Sequence, residues 1–251
     1  MSVLAKILEN KKKEVAVMKV PAFQRKKAVL DFKTSLTAKP FICEVKKASP
    51  TLGDINVGAD PVVTALRYER MGAGAVSVLT DKEFFKGSFE YMREVAENIN
   101  VPVLCKDFII DEKQINTAYV YGADAVLLMA TALSKGQYAR LYDCAKTKGL
   151  AVLTEIHEEE EYDIVASVNP DIVGVNARNL KTLEIDMDKA AGIISRLGGG
   201  HFRVAESGMK SADDIRKMRT AGADAFLVGS GLMSSENPEA VFADMASGLK
   251  A

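Results

Sequence analysis

The chain has 251 residues, of which 48% are apolar and 27% charged, so it can bury a sizeable core and lacks the composition of a disordered protein. Its 33 basic and 34 acidic residues give a net charge of -1, which argues against non-specific binding to nucleic acid. No apolar run approaches the roughly 18–20 residues of a membrane helix, so we expect no membrane partner.

The cysteines and histidines exclude two common kinds of site. Cys43, Cys105 and Cys144 are odd in number and widely spaced, so no disulfide framework is expected. With His157 and His201 as the only histidines, we expect no metal. Free thiols and the absence of a signal-peptide pattern favour a cytoplasmic location.

The first 39 residues precede the first strand-like segment. Apolar residues recur there at helical spacing from Val3 to Val15, which predicts an amphipathic helix. We interpret the run 11–13, three lysines, as the solvated face of that helix.

From residue 40 onward, short apolar runs alternate with longer amphipathic segments. The predicted strands are 41–46, 75–79, 101–106, 124–129, 150–155, 171–176, 202–207 and 224–229. The segments at 71–80, 121–130 and 221–230 share a pattern in which a helix ends at a glycine and a strand follows.

Several of the intervening helices carry start signals. Asp111 with Gln114 and Ser134 with Gln137 have capping-box spacing, and Ser211 with Asp214 has a weaker version. Eight βα units predict an α/β (β/α)8 barrel, with residues 1–251 as one domain, 1–39 as a helical extension and 40–251 as the barrel. An open doubly wound sheet is the alternative, and the number of units and the absence of GxGxxG count against it.

The stretch "VPVLCKDFII" (101–110) places Lys106 in an apolar run, where a charged side chain is costly to bury. The barrel resolves this conflict, because active sites lie at the carboxyl ends of the strands. Polar residues end six of the strands: Glu44, Lys46, Lys106, Glu155, Asn176, Arg178, Glu206, Ser207 and Ser230. The glycine turns after the seventh and eighth strands, at 206–208 and 229–231, are where such barrels commonly bind phosphate.

These motifs resemble the indole-3-glycerol phosphate synthase family. The resemblance rests on "CEVKKASPTLG" (43–53), "SVLTDKEFFKGS" (77–88), "LCKDFIID" (104–111), "LTEIH" (153–157), "VNARNLKT" (175–182) and "VAESGM" (204–209). It implies conversion of 1-(2-carboxyphenylamino)-1-deoxyribulose 5-phosphate to indole-3-glycerol phosphate in tryptophan biosynthesis, a carboxy-lyase reaction that needs no cofactor.

The resemblance also implies roles for individual residues. Lys106 is the implied general acid, Glu155 its partner, and Glu44 and Lys46 complete the catalytic set together with Asn176 and Ser207. Arg178, Glu206 and Phe85 are implied to bind the substrate, and Ser49, Gly208, Gly229 and Ser230 its phosphate. The order in which the carboxylates transfer protons stays open at this point, and a monomer is the default expectation.

Two other functions compete with this one. The first is that of the neighbouring isomerase of the same pathway, whose chemistry resembles that of a cysteine–aspartate acid–base pair at strand ends. Strand alternation counts against it, because it points Cys43 and Cys105 away from the site. A barrel that binds phosphate without catalysis, such as a variant stripped of activity, would share the fold, but the intact lysine–glutamate set counts against it.

Overall fold

The computed structural model describes residues 2–180 and 182–250. Eight parallel strands form a closed barrel in chain order, with the last strand paired to the first. They are β1 Phe41–Val45, β2 Ala75–Leu79, β3 Val103–Lys106, β4 Ala125–Met129, β5 Ala151–Ile156, β6 Ile172–Asn176, β7 Phe202–Glu206 and β8 Ala225–Val228. The predicted (β/α)8 barrel and all eight predicted strands are confirmed.

Twelve α-helices surround the barrel in the described part of the chain. They are α1 Val3–Val17, α2 Phe32–Ala38, α3 Pro61–Met71, α4 Lys82–Phe85, α5 Phe89–Asn98, α6 Glu112–Val120, α7 Lys135–Thr147, α8 Tyr162–Val165, α9 Met187–Arg196, α10 Ala212–Thr220, α11 Ser230–Met233 and α12 Pro238–Ser247. A two-stranded hairpin pairs Ala48–Ser49 with Gly53–Asp54. Over residues 2–180 and 182–250, no helix is both long and apolar enough to cross a membrane.

The predicted helix boundaries follow from local chemistry. All three predicted capping boxes form, beginning at Asp111, Ser134 and Ser211. Each satisfies backbone donors that the first turn of a helix leaves unpaired. In the repeated helix–glycine–strand pattern, Gly72 and Gly222 have φ of 103° and 104°, a conformation that favours glycine.

Strand alternation divides the core into two layers. Ile42 and Leu104 pack inside the barrel, whereas Cys43 and Cys105 pack between the strands and the outer helices. The prediction that both cysteines point away from the site is therefore confirmed. Lys106 lies two residues beyond Leu104, so it belongs to the inner face.

The amino-terminal end of the barrel is closed. Phe32 and Leu36 of α2 belong to the apolar cluster inside the barrel. Nearby, the buried Arg25 guanidinium pairs with Asp124 at 2.5 Å, just before β4 begins. The carboxyl ends of the strands are consequently the end at which a ligand can enter.

The predicted helix in the N-terminal extension is confirmed as α1, but the interpretation of residues 11–13 as a solvated face is wrong for Lys11. Its side chain is 2% exposed, and Nζ lies 2.8 Å from Asp81 Oδ2 and 2.9 Å from Asp107 Oδ1. Glu14 on the same helix is a third partner, at 2.7 Å. A buried ammonium is tolerable because these carboxylates compensate it. Lys11 thus links α1 to the loops that follow β2 and β3.

Lys11→Met should destabilise the protein by about 3–5 kcal/mol, because it leaves the Asp81 and Asp107 carboxylates buried without a counter-charge. Urea unfolding measures this loss, and the exposed Lys12 provides the matched control Lys12→Met. The loss should be smaller at pH 5 than at pH 8, since protonation of an orphaned carboxylate removes the buried charge. Equal stability of the two variants would contradict the account of Lys11.

Candidate active site

A cavity of about 650 Å³ opens at the carboxyl ends of the strands. Nine residues predicted from the sequence line it: Glu44, Lys46, Phe85, Lys106, Glu155, Asn176, Arg178, Glu206 and Ser207. They come from strands or strand-end loops on several sides of the barrel. The closed fold therefore brings together side chains that lie far apart along the chain.

Lys106 stands among carboxylates inside this cavity. Its Nζ donates to Glu155 Oε2 at 3.1 Å and lies 3.8 Å from Glu206 Oε2. Burial disfavours the ammonium, but Glu155, Glu206 and Glu44 outweigh that penalty and raise the pKa of Lys106. The side chain keeps 15% exposure, so its proton can reach a molecule in the cavity.

Glu155 and Glu206 are both buried, but their protonation differs. Burial raises the pKa of each carboxyl, whereas the charges of Lys106 and His157 lower that of Glu155 well below its usual range. The pKa of Glu206 is instead raised well above its usual value, by burial and by the neighbouring Glu155 charge. Two close carboxylates cannot both ionise cheaply. Within this pair, Glu155 therefore favours the ionised form and Glu206 the protonated form.

Gly174 in β6 makes room for Glu206. A β-carbon at Gly174 would overlap Glu206 Oε1, so any other residue there would displace the Glu206 carboxyl. Glycine in a strand interior weakens the strand, but at this position it leaves the space that the Glu206 carboxyl occupies. Neither carboxyl oxygen of Glu206 has a hydrogen-bond partner among the described residues. Both oxygens are buried in the wall of the cavity.

A second ion pair joins Lys46 and Glu44 at the end of β1. Lys46 Nζ lies 2.7 Å from Glu44 Oε1, and both side chains are largely buried. Burial raises the pKa of Glu44, but the charges of Lys46 and Lys106 outweigh it, so the net shift is downward. Glu44 is therefore ionised and balances both lysines.

A neighbouring cavity of about 530 Å³ is suited to an anion. Lys46, Arg178, Ser49 and Ser230 line it and supply two positive charges and two hydroxyls. The predicted phosphate residues Ser49 and Ser230 thus lie together.

The two predicted glycines, by contrast, are not among the lining residues of either cavity. A β-carbon at Gly229 would meet Glu44 Oε1 at 2.7 Å, and one at Gly208 would meet Met187 Sδ at 2.4 Å. Both positions are therefore crowded by side chains.

The opening of the cavity also has an apolar wall, of which the sequence analysis named only Phe85. Phe85 lies opposite Phe108, with ring centroids 6.0 Å apart, and Leu180 adjoins them. Ile7 of α1 packs in the same cluster, so the N-terminal extension forms part of the wall. Strand alternation could have revealed Phe108, because it follows Lys106 by two residues.

His157 is the second residue that sequence analysis missed. It follows Glu155 by two residues, and its Nε2 lies 3.2 Å from Glu155 Oε1.

In the described part of the chain, no cluster of three or more potential ligand side chains is arranged to hold a metal ion.

Comparison with known proteins identifies the family. Residues 4–245 match the family model described as indole-3-glycerol phosphate synthase. This chain belongs to that family. An indole-3-glycerol phosphate synthase from Bacillus cereus is 43% identical over 246 residues, which cover 97% of each chain. Enzymes of the same name from Bacillus thuringiensis and Bacillus anthracis are 42% identical over the same coverage.

Solved structures show the same fold at low identity. A 3-hexulose-6-phosphate synthase aligns with a TM-score of 0.68 and 13% identity, covering 83% of this chain and 99% of that one. A thiamine phosphate pyrophosphorylase from Pyrococcus furiosus aligns with a TM-score of 0.62, again at 13% identity, covering 86% of this chain and 98% of that one. Identity this low supports the barrel fold alone.

Membership of the indole-3-glycerol phosphate synthase family confirms the resemblance seen in the motifs. It also confirms the predicted class of enzyme, a carboxy-lyase of tryptophan biosynthesis. The isomerase alternative is thereby removed.

Proposed function

We propose that this protein closes the indole ring of 1-(2-carboxyphenylamino)-1-deoxyribulose 5-phosphate, with loss of CO2 and water, and that the residues described above carry the reaction. The observation that carries the proposal is the placement of the Lys106 ammonium inside the cavity, between Glu155 and Glu206. Such a group can meet negative charge that develops on a substrate oxygen.

Ring closure is the first step of this proposal. The aromatic carbon that bears the carboxylate attacks the ketone carbon, and a carbon–carbon bond forms. Lys106 donates its proton to the ketone oxygen, which becomes a hydroxyl. Loss of CO2 then returns its bonding electrons to the ring and restores aromaticity.

Dehydration is the second step and needs an acid and a base. Lys46 donates a proton to the leaving hydroxyl, which departs as water. The ionised Glu155 takes a proton from the adjacent methylene carbon, and the indole double bond forms. Two protons are donated and one is taken up, which matches the single proton consumed when a carboxylate leaves as CO2.

The opening of the cavity offers an aromatic wall for one end of the substrate and a set of anion-binding side chains for the other. The anthranilate ring stacks against Phe85 and Phe108, while Arg178, Ser49 and Ser230 take the phosphate. Asn176, Ser207 and the neutral Glu206 hold the hydroxyl groups between them, because a protonated carboxyl can donate as well as accept.

Cellular setting and assembly belong to the same proposal. Cys43, Cys105 and Cys144 are unpaired thiols, which supports action in a reducing cytoplasm. We further propose a monomer, in which the extension (1–39) and the barrel (40–251) act as one unit. Lys11 and Arg25 support this unit, because each joins the extension to the barrel through a buried ion pair.

Lys106→Met should leave the fold intact and lower turnover by roughly 100-fold or more, the scale expected for loss of a general acid. The chain contains no tryptophan, so the fluorescence of the indole product can be followed without that background. The exposed Lys82 offers the matched control Lys82→Met, which should keep full activity. Comparable turnover in the two variants would remove Lys106 from the mechanism.

Ser230→Asp should weaken binding of phosphorylated ligands by roughly tenfold or more, because it adds a negative charge beside the proposed phosphate position. Calorimetry should show little change for the phosphate-free substrate analogue. Ser234→Asp adds the same charge at an exposed position just past the end of α11 and is the control. A change at Gly229 would be less informative, since it would also displace Glu44. Equal losses of affinity for phosphorylated and phosphate-free ligands would show that the phosphate does not bind beside Ser230.

A further inference from the structure

His157 lies just beyond the end of β5, with its ring between two carboxyl groups. Nε2 lies 3.2 Å from Glu155 Oε1, an ion-pair contact rather than an aligned hydrogen bond. On its other side, Nδ1 lies 3.3 Å from Thr131 Oγ1 and 3.7 Å from Glu161 Oε2. The side chain is 6% exposed, so these groups define its environment.

Glu161 is held firmly in this arrangement. Its Oε2 accepts from the His157 backbone N–H at 2.7 Å, and its Oε1 accepts from the Thr131 hydroxyl at 2.5 Å. The hydroxyl proton of Thr131 is thereby committed to Glu161. Toward His157 Nδ1, Thr131 can only accept.

The ring nitrogens of His157 therefore both face acceptors. Glu155 is ionised because Lys106 donates to its other oxygen, so it too can only accept. A neutral imidazole would turn a lone pair toward one of these acceptors, which is repulsive. An imidazolium has a proton for each side and also compensates both buried carboxylates.

We propose that His157 is a positively charged positioning residue that keeps Glu155 ionised while Lys106 is neutral during turnover. The proposal rests on the proposed function, in which Lys106 gives up its proton in ring closure. At that moment Glu155 loses its nearest positive charge, although it must still act as a base in dehydration. The positive charge of His157 stays beside Glu155 Oε1 at that moment. His157 itself need not contact any substrate atom.

The charges that face His157 set the expected pH dependence. The Glu155 and Glu161 carboxylates flank the ring, the protonated Glu206 lies farther away, and the Lys106 ammonium contacts the other oxygen of Glu155. Burial lowers the pKa of His157, but Glu155 and Glu161 outweigh it and raise the pKa to about 9. His157 thus stays charged at neutral pH. Removing this charge should raise the pKa of Glu155, so the acidic limb of the rate profile should move to higher pH.

The first test observes the charge of His157 without any turnover. The chain has only two histidines, so ring nitrogen NMR gives two titrations, and His201→Gln assigns them. We expect His157 to stay protonated at pH 8 and to titrate at lower pH in Glu161→Gln. A His157 that is neutral at pH 7 would overturn the proposal.

The second test is kinetic and compares His157→Gln with His201→Gln. His201 binds Pro170 O and the Tyr162 hydroxyl at the amino-terminal side of β7, away from the cavity. In His157→Gln we expect the acidic limb of the kcat profile to shift upward by roughly one unit, which is a tenfold loss of kcat on that limb, with KM within about twofold. His201→Gln should match the unchanged protein.

A pH profile of His157→Gln that superimposes on that of the unchanged protein would also overturn the proposal. Failure of the proposed function itself would look different. The unchanged protein would then form no indole product, while the NMR titration would still report whether Glu155 and Glu161 hold His157 charged.

Discussion

The site depends on one constraint, which is that an ammonium buried inside the barrel must be balanced by carboxylates. Lys106 meets this constraint through Glu155, whose carboxylate lies 3.1 Å away, and through the charge of Glu44, both of which approach from other strands. Because these side chains come from separate strands, only the closed barrel assembles them. The same balance makes Lys106 a stable, charged proton donor next to the proposed substrate.

A consequence of this balance is an unequal pair of carboxyls. Lys106 and His157 stabilise the charge of Glu155, whereas Glu206 is left with burial and a negative neighbour. Glycine at position 174 allows the second carboxyl to approach, since any β-carbon there would collide with it. One buried group can then act as a base while the other donates a hydrogen bond, although both are glutamates.

The sequence predicted the barrel because its signals are local: alternation of apolar runs, capping boxes and glycine helix ends. It also predicted the polar strand-end residues that line the cavity, since the barrel fixes which ends of the strands face a ligand. Burial of Lys11 could not be predicted, because its partners Asp81 and Asp107 lie far along the chain and only tertiary packing brings them to α1. Phe108 and His157 could have been predicted from strand alternation, because each follows a predicted catalytic residue by two positions.

The central claim is that Glu155 is ionised and Glu206 protonated around Lys106, and infrared spectroscopy at pH 7 tests it most directly. The claim predicts a carboxylic acid C=O band in the unchanged protein that disappears in Glu206→Gln and persists in Glu83→Gln, a change at an exposed position on α4. Identical carboxylic acid bands in the unchanged protein and Glu206→Gln would show that Glu206 is ionised and would contradict the account.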